Sequence, residues 1–191
     1  PTHRLHPTAP PTRSTETGPT GEGVTGIWRD QTQWSTGVVP SHSNNGNDHD
    51  VSFASCTRTQ DITAGGTINQ LFMSGGTLVL ANPLTLNDGL QFSGGAITSG
   101  VLNIAGTSSQ SATMTVNGTT INNAGYYDIT LANGNVFSGG GTFSNSGSLT
   151  RHSDGGTVTF NLPLTDSGIV SAESGTLILT GGGTISGTAA A

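Results

Sequence analysis

Lysine is missing from this 191-residue chain, in which all five basic residues are arginines. Its absence excludes a P-loop lysine, a Schiff-base lysine and a lysine nucleophile. Charged residues make up only 8% of the chain, where about 25% is usual, and the formal net charge is −6. Because such a chain offers no cationic surface to phosphate groups, we expect neither nucleic acid nor an anionic membrane among its partners.

Cysteine, helical patterning and long apolar runs are also scarce. Cys56 is the one cysteine, so the chain can form neither an internal disulfide nor a Cys-rich metal site. No apolar run approaches the roughly 20 residues of a membrane-spanning helix, which argues against membrane insertion. No window repeats apolar residues at helical spacing over three turns. The last of these absences predicts essentially no helix.

Glycine and short alternating apolar pairs dominate what is present. The chain has 30 glycines. From residue 59 onward, apolar residues at alternate positions recur between Gly, Asn, Ser and Thr. The pairs are Leu78/Leu80, Leu84/Leu86, Leu90/Phe92, Leu102/Ile104, Met114/Val116, Ile129/Leu131, Val158/Phe160, Leu162/Leu164 and Leu177/Leu179. A period of two over three to five residues predicts short strands that bury one face.

These strands belong to an internal repeat. The segments 122–127, 144–149 and 165–170 align so that Gly125, Gly147 and Gly168 recur at nearly constant spacing, and Gly100 extends the series toward the N-terminus. Recurrence at fixed positions without a helix predicts a β-solenoid, in which each residue stacks on its counterpart one coil away. We therefore predict an all-β parallel β-helix over residues 59–191, with about six coils, each of roughly 21–25 residues. The handedness of parallel crossovers favours right-handed winding.

Two sets of stacked residues follow from this alignment. Asn123, Asn145 and Asp166 are predicted to form a hydrogen-bonded column at one corner of the solenoid, as stacked amides do in cross-β structures. The three aligned glycines follow two positions later at the same corner. We expect them to supply a positive φ, which other residues adopt only with strain.

The chain before the repeats divides into two segments. Residues 1–24 are rich in Pro, Thr and Ser and nearly free of large apolar side chains, which predicts an extended arm that is flexible or is ordered by a partner. Residues 25–58 contain both tryptophans, Trp28 and Trp34, and are predicted as a cap region over one end of the core. The solenoid would then occupy residues 59–191.

The motifs from residue 27 onward resemble a known class of proteins. The segment 34–40 (Trp-Ser-Thr-Gly-Val-Val-Pro), a polar loop and the segment 50–53 (Asp-Val-Ser-Phe) are followed by Gly-Gly-Thr-Leu and Asn-Ser-Gly repeats. This order resembles bacterial surface β-helix proteins of the autotransporter passenger and filamentous-haemagglutinin-like kind. The resemblance implies an extracellular or cell-surface location and a role in adhesion or in a matrix. It supplies no catalytic residue to transfer to this chain.

The densest group of potential metal ligands is His42, Asp48, His49 and Asp50, of which the last three are the candidate metal site. Carboxylate oxygens and one imidazole suit a divalent cation such as calcium, although the spacing matches neither an EF-hand nor H-E-x-x-H. A metal-stabilised adhesin module is the corresponding hypothesis. A solvated loop in which Asp50 caps a strand is the alternative. Apart from such an ion, the sequence predicts no cofactor.

A second candidate site combines His152, Glu173 and Arg151. His152 and Glu173 are one predicted coil apart, so their side chains are expected to stack on one face beside Arg151. A histidine and a carboxylate beside an arginine suit glycan binding or glycan cleavage. A surface ion pair between coils is the alternative. The remaining acids are predicted as turn residues; they are Asp61, Asp88, Asp128 and Asp154.

The segment 181–191 contains neither an amphipathic helix nor an aromatic cap, so its coil is expected to expose backbone groups. This predicts self-association, either as a homopolymer or within a longer solenoid. The leading hypothesis is a non-enzymatic extracellular structural protein, a surface or matrix β-solenoid that forms fibres or an adhesin stalk. The alternative is a carbohydrate-binding or carbohydrate-active β-helix whose partners are glycans.

Overall fold

The computed structural model of the chain describes residues 12–15, 25–27, 49–54, 57–60, 66–153 and 155–191. These residues form strands, with short turns between the strands that follow residue 66, and none of the described residues is helical. The strands are β1 (Thr12–Thr15), β2 (Thr25–Ile27), β3 (His49–Phe53), β4 (Thr57–Gln60), β5 (Gly66–Leu80), β6 (Leu84–Thr98), β7 (Val101–Ile104), β8 (Thr107–Gln110), β9 (Met114–Asn123), β10 (Tyr126–Ile129), β11 (Gly134–Asn135), β12 (Phe137–Asn145), β13 (Ser148–Arg151), β14 (Thr157–Phe160), β15 (Leu164–Asp166), β16 (Ile169–Ala172), β17 (Thr176–Leu179), β18 (Gly183–Ile185) and β19 (Thr188–Ala190).

Every strand pairing in this part of the chain is parallel. Strands pair with strands of the neighbouring turns, so the chain winds as a β-solenoid of about seven turns. The predicted all-β parallel β-helix is thereby confirmed, with about seven turns in place of six. The handedness of the winding stays a prediction.

The turns stack into three faces. Face A consists of β1, β3, β8, β10, β13, β16 and β19 with the middle of β5 and β6. Face B consists of β7, β15 and β18 with the start of β5 and β6 and the end of β9 and β12. Face C contains β2, β4, β11, β14 and β17 and the remaining parts of the long strands.

Coil length varies more than the recurrence predicted. On face A, Gln91 is paired with Ser109, whereas Tyr126 is paired with Ser148, so the earlier of these two turns is shorter than any predicted coil. The residue stacked before Gly125 is Gly106 and not Gly100, because Tyr126 pairs with Thr107. Register shifts also interrupt the pairing of the long strands, for example between Gly140 and Gly141.

The core is the interior of this stack. Alternate strand residues point inward and are buried, as the apolar pairs predicted, although Leu179 in the outermost described turn is 38% exposed. Four rings, those of Tyr127, Phe137, Phe143 and Phe160, pack with centroids 5.2 to 5.9 Å apart. Burial raises the pKa of Tyr127 far above its usual value. The Tyr127 hydroxyl donates to Gln110 Oε1 at 2.6 Å, so this buried polar atom is satisfied.

Parallel pairing also includes strands within the two N-terminal segments. Strand β1 pairs with β3, and β2 pairs with β4. Most of residues 1–48, including Trp28 and Trp34, lie outside the described residues. The division into arm, cap region and solenoid stays a prediction.

Candidate functional site

Two columns of side chains run along the outside of face A. The outer column contains residues that are paired in register from turn to turn, namely Ser52, Phe72, Gln91, Ser109, Asp128, Thr150 and Ser171. The corner column contains the residue two positions after an outer-column residue, namely Ser74, Ser93, Ser111, Thr130, His152 and Glu173. Stacking in register places residues of one column about 4.8 Å apart from turn to turn.

Hydroxyl groups of the corner column are tied to the backbone of the turn before. The side chains of Ser93, Ser111 and Thr130 donate to the carbonyl oxygens of Met73, Phe92 and Gln110 at 3.4, 3.3 and 3.2 Å. A cavity of about 240 Å³ lies against the hydroxyls of Ser93 and Ser111. It is lined by Ser52, Phe72, Met73, Ser74, Gln91, Phe92, Ser93, Ser109 and Ser111. Its lining is therefore polar and uncharged, with apolar side chains among the hydroxyls.

Charged groups follow in the same two columns. His152 is 61% exposed, and its Nδ1 lies 3.9 Å from Oδ2 of Asp128, whose side chain is 17% exposed. Glu173 is exposed one turn further along the corner column. The predicted stacking of His152 and Glu173 agrees with this placement, but the described ion-pair partner of His152 is Asp128.

Asp128 was missed by sequence reasoning. It lies within β10, so the interpretation of Asp128 as a turn residue is wrong, and the same holds for Asp88 in β6. Burial raises the pKa of Asp128; His152 and Arg151 lower it, and Glu173 raises it further. Because Asp128 and Thr150 are paired across turns, correct coil boundaries would have placed this carboxylate beside His152.

Arg151 does not join this surface group. Its side chain points inward from β13 and is fully buried. The Nη2 atom donates to the carbonyl oxygens of Ala132 and Gly155 at 3.1 and 2.7 Å. Its Nε and Nη1 have no hydrogen-bond partner among the described residues. Arg151 therefore holds two loops together from inside the stack, and a ligand on the surface of face A is not in contact with it.

The amide column is present on face B. Asn123, Asn145 and Asp166 are buried and occupy one inward register position. Asn123 Nδ2 donates to Asn145 Oδ1 at 2.7 Å, and Asn145 Nδ2 donates to Asp166 Oδ1 at 2.6 Å. Ile104 precedes this column, and Ile185 follows it. We call these three side chains the amide ladder.

Glycine is required at the three aligned positions for a different reason from the expected one. None of Gly125, Gly147 and Gly168 has a positive φ. A Cβ atom at Gly147 would collide with the carbonyl oxygen of Gly125, and one at Gly168 would collide with that of Gly147. Glycine is needed at this corner because successive turns approach too closely for any side chain, and not for its left-handed conformations.

Only some of the proposed metal ligands lie among the described residues. His42 and Asp48 lie outside the described residues, and His49 is described only as part of the backbone of β3. Asp50 accepts a hydrogen bond from Asn69 Nδ2 at 2.8 Å. In the part of the chain that the structure describes, no three His, Cys, Asp or Glu side chains are grouped as a metal site. The loop site at residues 48–50 stays a prediction.

Comparison with known proteins yields no match: no family model, no curated protein and no solved structure is similar to this chain. Among the described residues, no helix is long and apolar enough to cross a membrane.

Proposed function

We propose that the chain is a non-enzymatic structural β-solenoid of the cell exterior that forms fibres or an adhesin stalk, either by stacking one copy on the next or within a longer solenoid. The observation that carries this proposal is the edge formed by β17, β18 and β19. Each of these strands pairs with the preceding turn alone among the described residues. Ile178, Leu179 and Ile185 are 42%, 38% and 44% exposed there. Unpaired strand edges with apolar side chains favour association with a further strand.

A second copy of this chain fits that edge. On the opposite side of the stack, β1 and β2 pair only with β3 and β4 among the described residues. Strands β19 and β1 both belong to face A, and β17 and β2 both belong to face C. Stacking copies in one direction would therefore continue the same parallel sheets. Such a heterologous contact does not close on itself, so it produces a filament.

The surface β-helix resemblance supports the extracellular setting of this proposal. The motifs at 34–40 and 50–53 resemble those of the autotransporter passenger and filamentous-haemagglutinin-like class, and a β-solenoid is the fold that this resemblance implies. Adhesion or matrix formation by a stalk or fibre is the role that follows. Glycans or a neighbouring copy are the partners in this role, and neither nucleic acid nor the membrane interior is.

The assembly is tested by light scattering and negative-stain electron microscopy over a concentration series. We expect the mass to rise with concentration and filaments to form. Ile185→Asp places a charge at the inward position of the edge and is expected to keep the chain monomeric. Thr184→Asp is the matched control, because Thr184 is the adjacent, outward-facing residue of the same strand. Monomers at every concentration, or assembly of the Ile185→Asp chain like wild type, would refute the stacking of copies.

A carbohydrate-binding surface on face A is the second candidate function. The uncharged polar cavity and the group Asp128, His152 and Glu173 lie in the same two columns. Hydroxyl and amide groups at the cavity suit a neutral sugar, and the carboxylates suit its hydroxyls further along. Titration calorimetry with neutral oligosaccharides is the test. Gln91→Ala and Glu173→Ala should weaken binding, whereas Thr142→Ala on face B should not. Equal binding by all three variants would remove this candidate.

A further inference from the structure

The two asparagines of the amide ladder share one hydrogen-bonding pattern. Asn123 Nδ2 donates to the carbonyl oxygens of Gly125 at 3.2 Å and Ser148 at 3.0 Å, in addition to Asn145. Asn145 Nδ2 donates to the carbonyl oxygens of Gly147 at 3.3 Å and Ile169 at 3.1 Å, in addition to Asp166. Each amide nitrogen is therefore surrounded by three oxygen atoms: one side chain, one glycine carbonyl and one carbonyl of the next turn of face A.

Asp166 places a carboxylate where this pattern requires a donor. Its Oδ1 accepts from Asn145 Nδ2 and from the backbone N–H of Gly168, the latter at 3.3 Å. A carboxylate and an amide have the same planar shape, so Oδ2 occupies the place of the amide nitrogen. By register, the oxygens facing that place are the carbonyls of Gly168 and Thr188, since Ile169 pairs with Thr188.

This Oδ2 atom is buried without a partner. Asp166 is 1% exposed, and its Oδ2 has no hydrogen bond among the described residues. A Cβ atom at Gly187 would lie 2.7 Å from this Oδ2 and would also collide with the Gly168 carbonyl oxygen. The two oxygens therefore border one space that the missing side chain of Gly187 leaves. Burying a carboxylate oxygen against carbonyl oxygens is costly unless a positive group compensates it.

We propose that Asp166 Oδ2 and the carbonyl oxygens of Gly168 and Thr188 bind a hard metal cation, such as Na⁺ or Ca²⁺. Oxygen ligands of this kind are what such cations prefer, and carboxylates and backbone carbonyls commonly combine in their sites. Gly168 belongs to the turn of Asp166, and Thr188 belongs to the next turn, so the ion joins β19 to the turn before it. The bound ion therefore stabilises the turn at residues 176–190. This inference concerns the single chain and does not depend on filament formation.

The test measures the urea unfolding of the chelator-treated chain at low protein concentration, with circular dichroism as the probe. Tetramethylammonium chloride replaces NaCl or CaCl₂ at equal ionic strength in the metal-free arm. An ion present at 100 times its dissociation constant should lower the unfolding equilibrium constant about 100-fold. Asp166→Asn should abolish this response and should be more stable than wild type without metal, because its amide again donates to both carbonyls. Asp88→Asn removes an exposed carboxylate and should retain the wild-type response.

The site would be overturned if wild type were equally stable in all three salts. It would also be overturned if the metal ion stabilised Asp166→Asn as much as it stabilises wild type. The metal-free wild type could also become as stable at acidic pH as it is with metal. This result would show that a proton occupies the place beside Asp166 Oδ2, and it would overturn the cation site. If Asp166→Asn does not fold, calorimetric titration of wild type with CaCl₂ and with NaCl decides: one bound ion supports the site, and no binding of either refutes it.

Discussion

The amide ladder predicts a large loss of stability on replacement of Asn145 by alanine. Asn145 is buried: its Oδ1 accepts from Asn123, and the two N–H groups of its Nδ2 are shared among Asp166 and two carbonyl oxygens. At about 1 kcal/mol net for the accepted bond and for each of the two N–H groups, the truncation costs about 3 kcal/mol. A domain has only about 5–15 kcal/mol of stability in total, so the transition midpoint should move strongly.

Urea unfolding followed by far-ultraviolet circular dichroism measures this loss, provided that the slope stays that of wild type. Asn122→Ala is the matched control. Asn122 is the neighbouring, half-buried residue, and its side chain donates to Asn103 Oδ1 at 2.9 Å. This outward bond is more accessible to water, so its loss should cost less than about 1 kcal/mol. If the two variants lose equal stability, the ladder does not stabilise the stack as argued.

Three further predictions concern single side chains. Gly147→Ala should destabilise the chain by about 3 kcal/mol, because the new methyl group would collide with the turn before. Gly140→Ala is the control and should melt like wild type, since a Cβ atom there would have nothing within 4 Å. Equal melting temperatures of the two variants would contradict the close approach of the turns. Asp128→Asn should stabilise the chain at pH 8, because burial raises the pKa of Asp128 and its ionised form therefore weakens the fold. This gain should vanish below about pH 3.9, where the acid is protonated in both states, and a gain that persists there would count against the burial cost. Tyr127→Phe should cost about 1–2 kcal/mol by leaving Gln110 Oε1 without its donor, and an unchanged urea midpoint would contradict this.

The fold and the ladder were accessible from the sequence because they repeat. Asn123, Asn145 and Asp166 recur at nearly constant spacing, and stacking in register turns such recurrence into contact. Shorter turns earlier in the chain lack an equally regular marker. Gly100 was therefore placed in the wrong column, since the true counterpart of Gly125 in the turn before is Gly106.

The candidate site on face A was only half accessible. His152 and Glu173 were found because they are one coil apart, but Asp128 belongs to the adjacent outer column and to an earlier turn. The proximity of Asp128 to His152 depends on the register between β10 and β13 and on side-chain direction. Inward and outward residues alternate, and this alternation also decides that the side chain of Arg151 points into the core. The exposed neighbouring residue, His152, gives no sign of this burial in the sequence.

Composition and periodicity alone therefore determined an all-β solenoid, because alternating apolar pairs and a repeat can bury a core only by stacking turn on turn. The tertiary structure decided the register, and with it every contact between turns. The structure also showed that glycine is required at 125, 147 and 168 because a side chain would collide with the neighbouring turn, and not because of glycine's conformational freedom. It also revealed the unpartnered oxygen of Asp166, because burial and the absence of a donor are properties of neighbouring turns and not of the residue's place in the sequence.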